Sequence, residues 1–227
     1  MNFKSYSLSI FLAVFLIACS EKKDEPISEL SVPAVEPIEM IEEEETSSVS
    51  DLESHPSFQN WLGFYQTSAP EMSMGNFNLS DVQKLEILPG SVPGNFDPEF
   101  DETYAPFLIF NPSKTMYLDI DSYNWSVDNE GVAQFEADQE INLVDLKEKT
   151  VNRVAFFGPS YRIDDAFWVS DSIFVLLETG SDNRPGIMTY NLKDNSIYIF
   201  QHSEEISPSD KEYIQSRLEK EGLKYNP

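Results

Sequence analysis

The side chains best equipped for chemistry in this sequence are carboxylates. Asp119, Asp121, Asp128 and Glu130 fall within twelve residues, and Asp164 and Asp165 stand together ahead of an apolar run. Closely spaced oxygen donors are what a Ca²⁺ loop uses. The run Asp119-Ile120-Asp121-Ser122-Tyr123-Asn124, however, lacks the mid-loop glycine and the closing bidentate glutamate of such a loop. A solvated acidic turn is the expected role, with no metal. Two carboxylates facing each other across a cleft would suit glycoside hydrolysis, one as acid and the other as nucleophile or base. Asp121, Asp164 and Asp165 are the acids to examine first for that chemistry.

Other reactive groups are scarce. The histidines are His55 and His202, so a Ser-His-Asp site would need one of them, and no G-x-S-x-G elbow is present. Gly158-Pro159-Ser160 reads as a turn. H-E-x-x-H, P-loop and G-x-G-x-x-G patterns are all missing, which argues against zinc and nucleotide chemistry, and no cofactor is expected. Three tryptophans, Trp61, Trp125 and Trp168, have the flat apolar faces that stack on sugar rings. Trp168, within Ala166-Phe167-Trp168-Val169, reads as core. Trp125, within Tyr123-Asn124-Trp125-Ser126, is the better surface platform, which makes Tyr123 and Trp125 the candidate ligand-binding residues.

The sequence holds one cysteine, Cys19, so disulfides and thiolate metal sites are not expected in the body of the protein. It follows Lys4 and the nearly all-apolar stretch Leu8–Ala18, whose 11 residues suit a signal core and are too few to span a bilayer comfortably. The segment Leu16-Ile17-Ala18-Cys19 resembles the lipobox of bacterial lipoproteins. That resemblance implies removal of residues 1–18, lipidation of Cys19 and anchoring in a membrane through acyl chains alone. Just beyond it, Lys23, Asp24 and Glu25 resemble the export signal of surface lipoproteins in the Bacteroidota. An outer-membrane location follows, with the cell surface favoured over the periplasmic face.

Charge separates the next part of the chain from the rest. Between Ser20 and Ser54 there are 12 acidic and 2 basic residues, three prolines, no glycine and no aromatic residue. Such a segment buries too little apolar surface to offset its ordering entropy, so residues 19–54 are expected to be a disordered tether. The whole chain carries 15 Lys+Arg against 40 Asp+Glu, a net charge of −25, which repels nucleic acids and anionic headgroups.

A single mainly-β domain is expected over residues 55–227. Phe58, Trp61, Leu62 and Tyr65 share one face of a short helix beginning near His55. Residues 66–105 are rich in Pro, Gly, Asn and Asp and predict loops with one strand at Val82–Leu88. From there, apolar runs alternate with turn residues at Phe107–Asn111, Thr115–Ile120, Glu140–Leu146, Val151–Phe157, Ala166–Ser170, Ile173–Glu178, Gly186–Leu192 and Ser196–Gln201. A repeat lies inside this pattern. Residues 141–151 align without a gap on 187–197, each containing Leu-Lys at the centre of a strand–turn–strand hairpin. The arrangement resembles β-propeller blades, especially the hairpins of TolB-like propellers, and implies two four-stranded antiparallel blade-like sheets over about 107–157 and 166–201. Two blades do not close a propeller, so a sandwich remains open as the alternative. Ser209-Asp210-Lys211-Glu212 reads as a capping box for a C-terminal helix at about 209–221, with Ile214 and Leu218 inward and Gly222 as terminator.

The function expected from these features is a lipid-anchored, non-catalytic binding or structural module of the cell envelope. The alternatives are a carboxylate-dependent glycan hydrolase and an accessory subunit of an outer-membrane complex. Envelope proteins or glycans are the expected partners, alongside the membrane itself.

Overall fold

The structure is a computed structural model and describes residues 51–207 and 211–225. The signal segment, Cys19, the Lys23-Asp24-Glu25 triplet and the tether up to residue 50 lie outside the described residues, as do Ser209 and Asp210 of the capping box.

Helix α1 (Pro56–Tyr65) starts where proline can occupy the first turn without losing a needed hydrogen bond, and His55 caps it by accepting the Ser57 amide on Nδ1. Phe58, Trp61 and Leu62 are buried, as their spacing predicts. Packing begins slightly earlier. Residues 51–54 are helical, and Leu52 is buried in the same cluster as Phe58 and Trp61.

Thirteen strands follow: β1 (Phe77–Lys84), β2 (Leu88–Pro89), β3 (Ile109–Phe110), β4 (Met116–Asp119), β5 (Trp125–Val127), β6 (Val132–Phe135), β7 (Gln139–Asp145), β8 (Thr150–Phe157), β9 (Tyr161–Ser170), β10 (Ile173–Gly180), β11 (Pro185–Asn191), β12 (Ser196–His202) and, after helix α2 (Tyr213–Lys220), β13 (Lys224–Tyr225). Among the described residues these strands form three sheets, ordered β1-β12-β11-β10-β9, β2-β8-β7-β4-β3 and β13-β6-β5. Every pairing is antiparallel except the parallel contact of β13 with β6.

This corrects the expectation of two four-stranded sheets. The two meanders exist, as β3-β4-β7-β8 and β9-β10-β11-β12, but each gains a fifth strand on its last member. β1 covers the edge of β12 and β2 that of β8, satisfying backbone groups that an open edge leaves unpaired. The strand expected at Val82–Leu88 is therefore split, with Leu85 buried between its two halves. The β5–β6 hairpin, inserted between β4 and β7, makes the third sheet with β13. Among the described residues no sheet closes on itself, so the likeness to a propeller stops at two meanders.

The repeat is structural. Lys149 and Asn195, aligned in sequence, both turn their hairpins at φ 57°. The residue opening each turn accepts a backbone amide two residues on, Asp145 from Lys147 at 2.8 Å and Asn191 from Lys193 at 3.0 Å.

Leu118, Ile141, Leu143 and Val154 of one five-stranded sheet share a buried cluster with Ile163, Trp168, Phe174 and Leu176 of the other. Such a side chain contributes roughly 1.5–3 kcal/mol when fully buried. The sheets are tied along one side, where the Trp168 indole donates to the Ile109 carbonyl and the Ser113 amide to Asp171. The outer face of the β9–β12 sheet packs against α1 through Phe167, Val175 and Leu177. α2 places Ile214 and Leu218 against Trp125 and Ala133 of the small sheet. It begins at Tyr213, not near residue 209. Glu212, at the N-cap, does not cap; its side chain pairs with Arg162 at 2.5 Å and with the Tyr225 hydroxyl. Gly222, at φ 82°, ends the helix as expected, and the Leu223 amide returns to the Leu218 carbonyl.

Candidate functional site

The three acids singled out from the sequence converge. A β-bulge in β9 pairs Asp165 with Leu177 and Ile163 with Glu178, leaving Asp164 as the extra residue. It turns both aspartates away from the shared core and toward the helices. Asp164 Oδ2 accepts from the Trp61 indole at 2.9 Å, Tyr65 at 2.8 Å and Thr179 at 2.7 Å. Asp165 accepts from Tyr213 at 3.0 Å. Asp121 accepts the Trp125 indole at 2.8 Å and pairs with Arg217, which also donates to the Asp164 carbonyl. Burial pushes Asp164 above the usual carboxylate range, while its Trp61, Thr179 and Tyr65 hydrogen bonds pull it back. Burial raises Asp165 as well, against the pull of Arg217. The carboxylates of Asp164 and Asp121 thus already have their donors. The cluster is a clasp joining α1, β9 and α2.

Trp125 is 1% exposed, so it is not the surface platform expected of it. Polar neighbours in sequence conceal that its indole N–H finds Asp121 and its rings find Phe107 and Tyr104. Tyr123 is exposed and meets Phe156 edge-on at 6.2 Å. Trp168 is core, as expected. Asp119 closes its own turn on the Asp121 and Ser122 amides, and Asp128 holds the β5–β6 turn through the Glu130 and Val132 amides. Among the described residues no group of three or more His, Cys, Asp or Glu side chains is placed to hold a metal ion.

Away from their tied side, the two large sheets part to form a cleft of about 690 Å³ between β8, β1 and the inner face of β10–β12, within the range of small-molecule sites. The β11–β12 part of its wall is apolar, with Met188, Tyr190, Ile197 and Ile199, while Ser80, Gln83, Lys84, Arg153 and Gln201 add polar groups. Leu88, Phe156 and Tyr161 line it and are all exposed large hydrophobics. In that wall lies Glu178, 1% exposed, with Oε2 buried and without a hydrogen-bond partner. Burial raises its carboxyl to about 7, reinforced by the negative charges of Asp164 and Asp182.

Gly186 makes room for this group. It faces Glu178 across the β10–β11 pairing, and a Cβ there would come within 2.3 Å of Glu178 Oε1. By sequence, Glu178 reads only as the end of a strand. The signal that could have found it is parity: Phe174, Leu176 and Glu178 alternate along one face of β10, so the acid follows two core residues inward.

Comparisons with protein-family models, with curated proteins and with solved structures find no match to this chain.

Proposed function

We propose that this protein is a lipid-anchored, non-catalytic binding module of the cell envelope whose ligand occupies the cleft between the two large sheets. One observation carries this reading: a cleft with a large apolar face and, in its wall, a buried carboxylate oxygen that no group among the described residues satisfies. Buried polar groups are normally hydrogen-bonded, and of the few side-chain atoms here that are not, Glu178 Oε2 is the carboxylate oxygen, set in the wall of a cleft that a ligand can enter. Of the acids lining the cleft, Glu178 alone is buried, whereas Asp81 and Glu86 are exposed. A single tuned carboxylate can hold a ligand, while the two-carboxylate hydrolases require a positioned second acid. The anchor in this reading is Cys19, with Lys23, Asp24 and Glu25 directing display on the outer leaflet.

The test uses full-length protein extracted from membranes after labelling with a clickable fatty acid. The label should be lost in Cys19→Ser, and a library of small amphiphiles should yield compounds that raise the melting temperature. Ala155→Trp, which fills the cleft from β8, should remove those shifts. Shifts of equal size in Ala155→Trp would place binding elsewhere, and an unlabelled wild type would remove the anchor.

A further inference from the structure

The chemistry of the cleft narrows its occupant. Resting on the proposed binding role, we propose that the cleft takes a small amphiphilic amine, with the ammonium group seated on Glu178 and the apolar body along Tyr190, Met188 and the exposed rim.

Of the cations around the cleft, the arginines are paired with other acids, while Lys84 lines the cleft from the exposed edge strand. Arg153, on the facing strand β8, pairs with Glu140 at 3.2 Å, and Arg184, in the β10–β11 turn, pairs with Asp182 and Glu205. Arg162, on β9, pairs with Glu212 and lies 3.9 Å from Asp164. Lys84, on β1, is exposed, and the charges acting on Glu178 are those of Asp164 and Asp182. The other polar groups of the cleft are the exposed acids Asp81 and Glu86, the neutral side chains of Ser80, Gln83 and Gln201, and the phenols of Tyr161 and Tyr190. Burial holds the Tyr190 phenol well above its ordinary range, so it stays neutral. A ligand ammonium is therefore the counter-ion this carboxylate lacks. A ligand anion would be repelled by Glu178 and by the net charge of −25, whereas a cation is drawn in. The rim residues Leu88, Phe156 and Tyr161 offer apolar surface that an inorganic cation would not use.

Isothermal titration of the full-length protein in detergent tests this with phenethylammonium, its neutral isostere 2-phenylethanol, and acetyl-leucyl-lysine amide as a peptide amine. Phenethylammonium should bind about tenfold or more tighter than 2-phenylethanol, and Glu178→Gln should erase that difference. Because the ammonium favours the ionised carboxyl, affinity should rise from about pH 6 to about pH 8 in the wild type and stay flat in Glu178→Gln. Equal affinity for the alcohol, a preference surviving in Glu178→Gln, or no binding of phenethylammonium would overturn the inference. Tighter binding of the lysine peptide would overturn the small-molecule source. If other compounds still bind in an Ala155→Trp-sensitive manner, the cleft reading survives without the amine. If nothing in the library binds, both fall.

Discussion

Two sets of buried acids lie on opposite faces of the same sheet, and they differ in one respect. On the helix side, Asp164, Asp165 and Asp121 meet an indole, hydroxyls and the Arg217 guanidinium. On the cleft side, Glu178 leaves one oxygen without a donor. Burial raises the proton affinity of Asp164, Asp165 and Glu178 alike, so a shifted acid does not by itself mark a site. What separates them is the unfilled valence. Structure uses up the hydrogen-bonding capacity of its acids, and a binding site keeps some in reserve.

The sharpest way to break this comparison is to strip the clasp of its cation. Arg217→Met should destabilise the protein by roughly 3–5 kcal/mol, because Asp121 and Asp165 would be left facing each other without compensation. Urea denaturation measures it, and adding Asp121→Asn should restore part of the loss. A cost below about 1 kcal/mol would mean that the clasp is ornamental.

Glu178 should behave in the opposite sense. Its carboxyl titrates at about 7 in the fold against an ordinary value of 4.5, so the folded state holds a proton that the unfolded chain has released between those limits. Stability then falls as pH rises through that window and levels off above it, a total of about 3 kcal/mol at about 1.36 kcal/mol per unit. Glu178→Gln should therefore be more stable than wild type at about pH 8 and indistinguishable at about pH 4. Denaturation midpoints at the two pH values decide it, and a variant that is less stable at the higher pH would show that Glu178 has a partner after all.

The smallest effect expected is that of Trp61→Phe, which keeps an aromatic ring and deletes one of the three donors to Asp164. A loss of about 1–2 kcal/mol is expected, with no change in ligand affinity at the cleft.

How much of this is legible in the sequence depends on how local each cause is. Helix α1 follows from four residues on one face, and the repeated hairpins from turn chemistry confined to a few positions around Lys149 and Asn195. Both are readable. β5 and β6 are not, because three- and four-residue strands carry little periodicity and their sheet depends on Lys224 and Tyr225, far along the chain. β1 is only partly legible: its last residues fall within the strand expected at Val82–Leu88, but every residue after Phe77 is exposed, so no buried face marks where the strand begins. Trp125 reads as solvent-facing because its partners, Asp121 apart, are Phe107 and Tyr104 from another loop. The convergence of Asp121, Asp164 and Asp165 arises from a bulge, which shifts the register by one residue without any signature in composition.

Arg217 lies 96 positions after Asp121, the acid it pairs with. Folding of nascent chains starts from the end made first, so Asp121 and Asp165 both emerge well before the group that neutralises them. Until α2 has formed and docked, Asp121 and Asp165 carry like charges that resist being brought together. Final closure of the domain is thus deferred until Arg217 itself has been made, and a chain truncated before it should be caught in an open, protease-sensitive state.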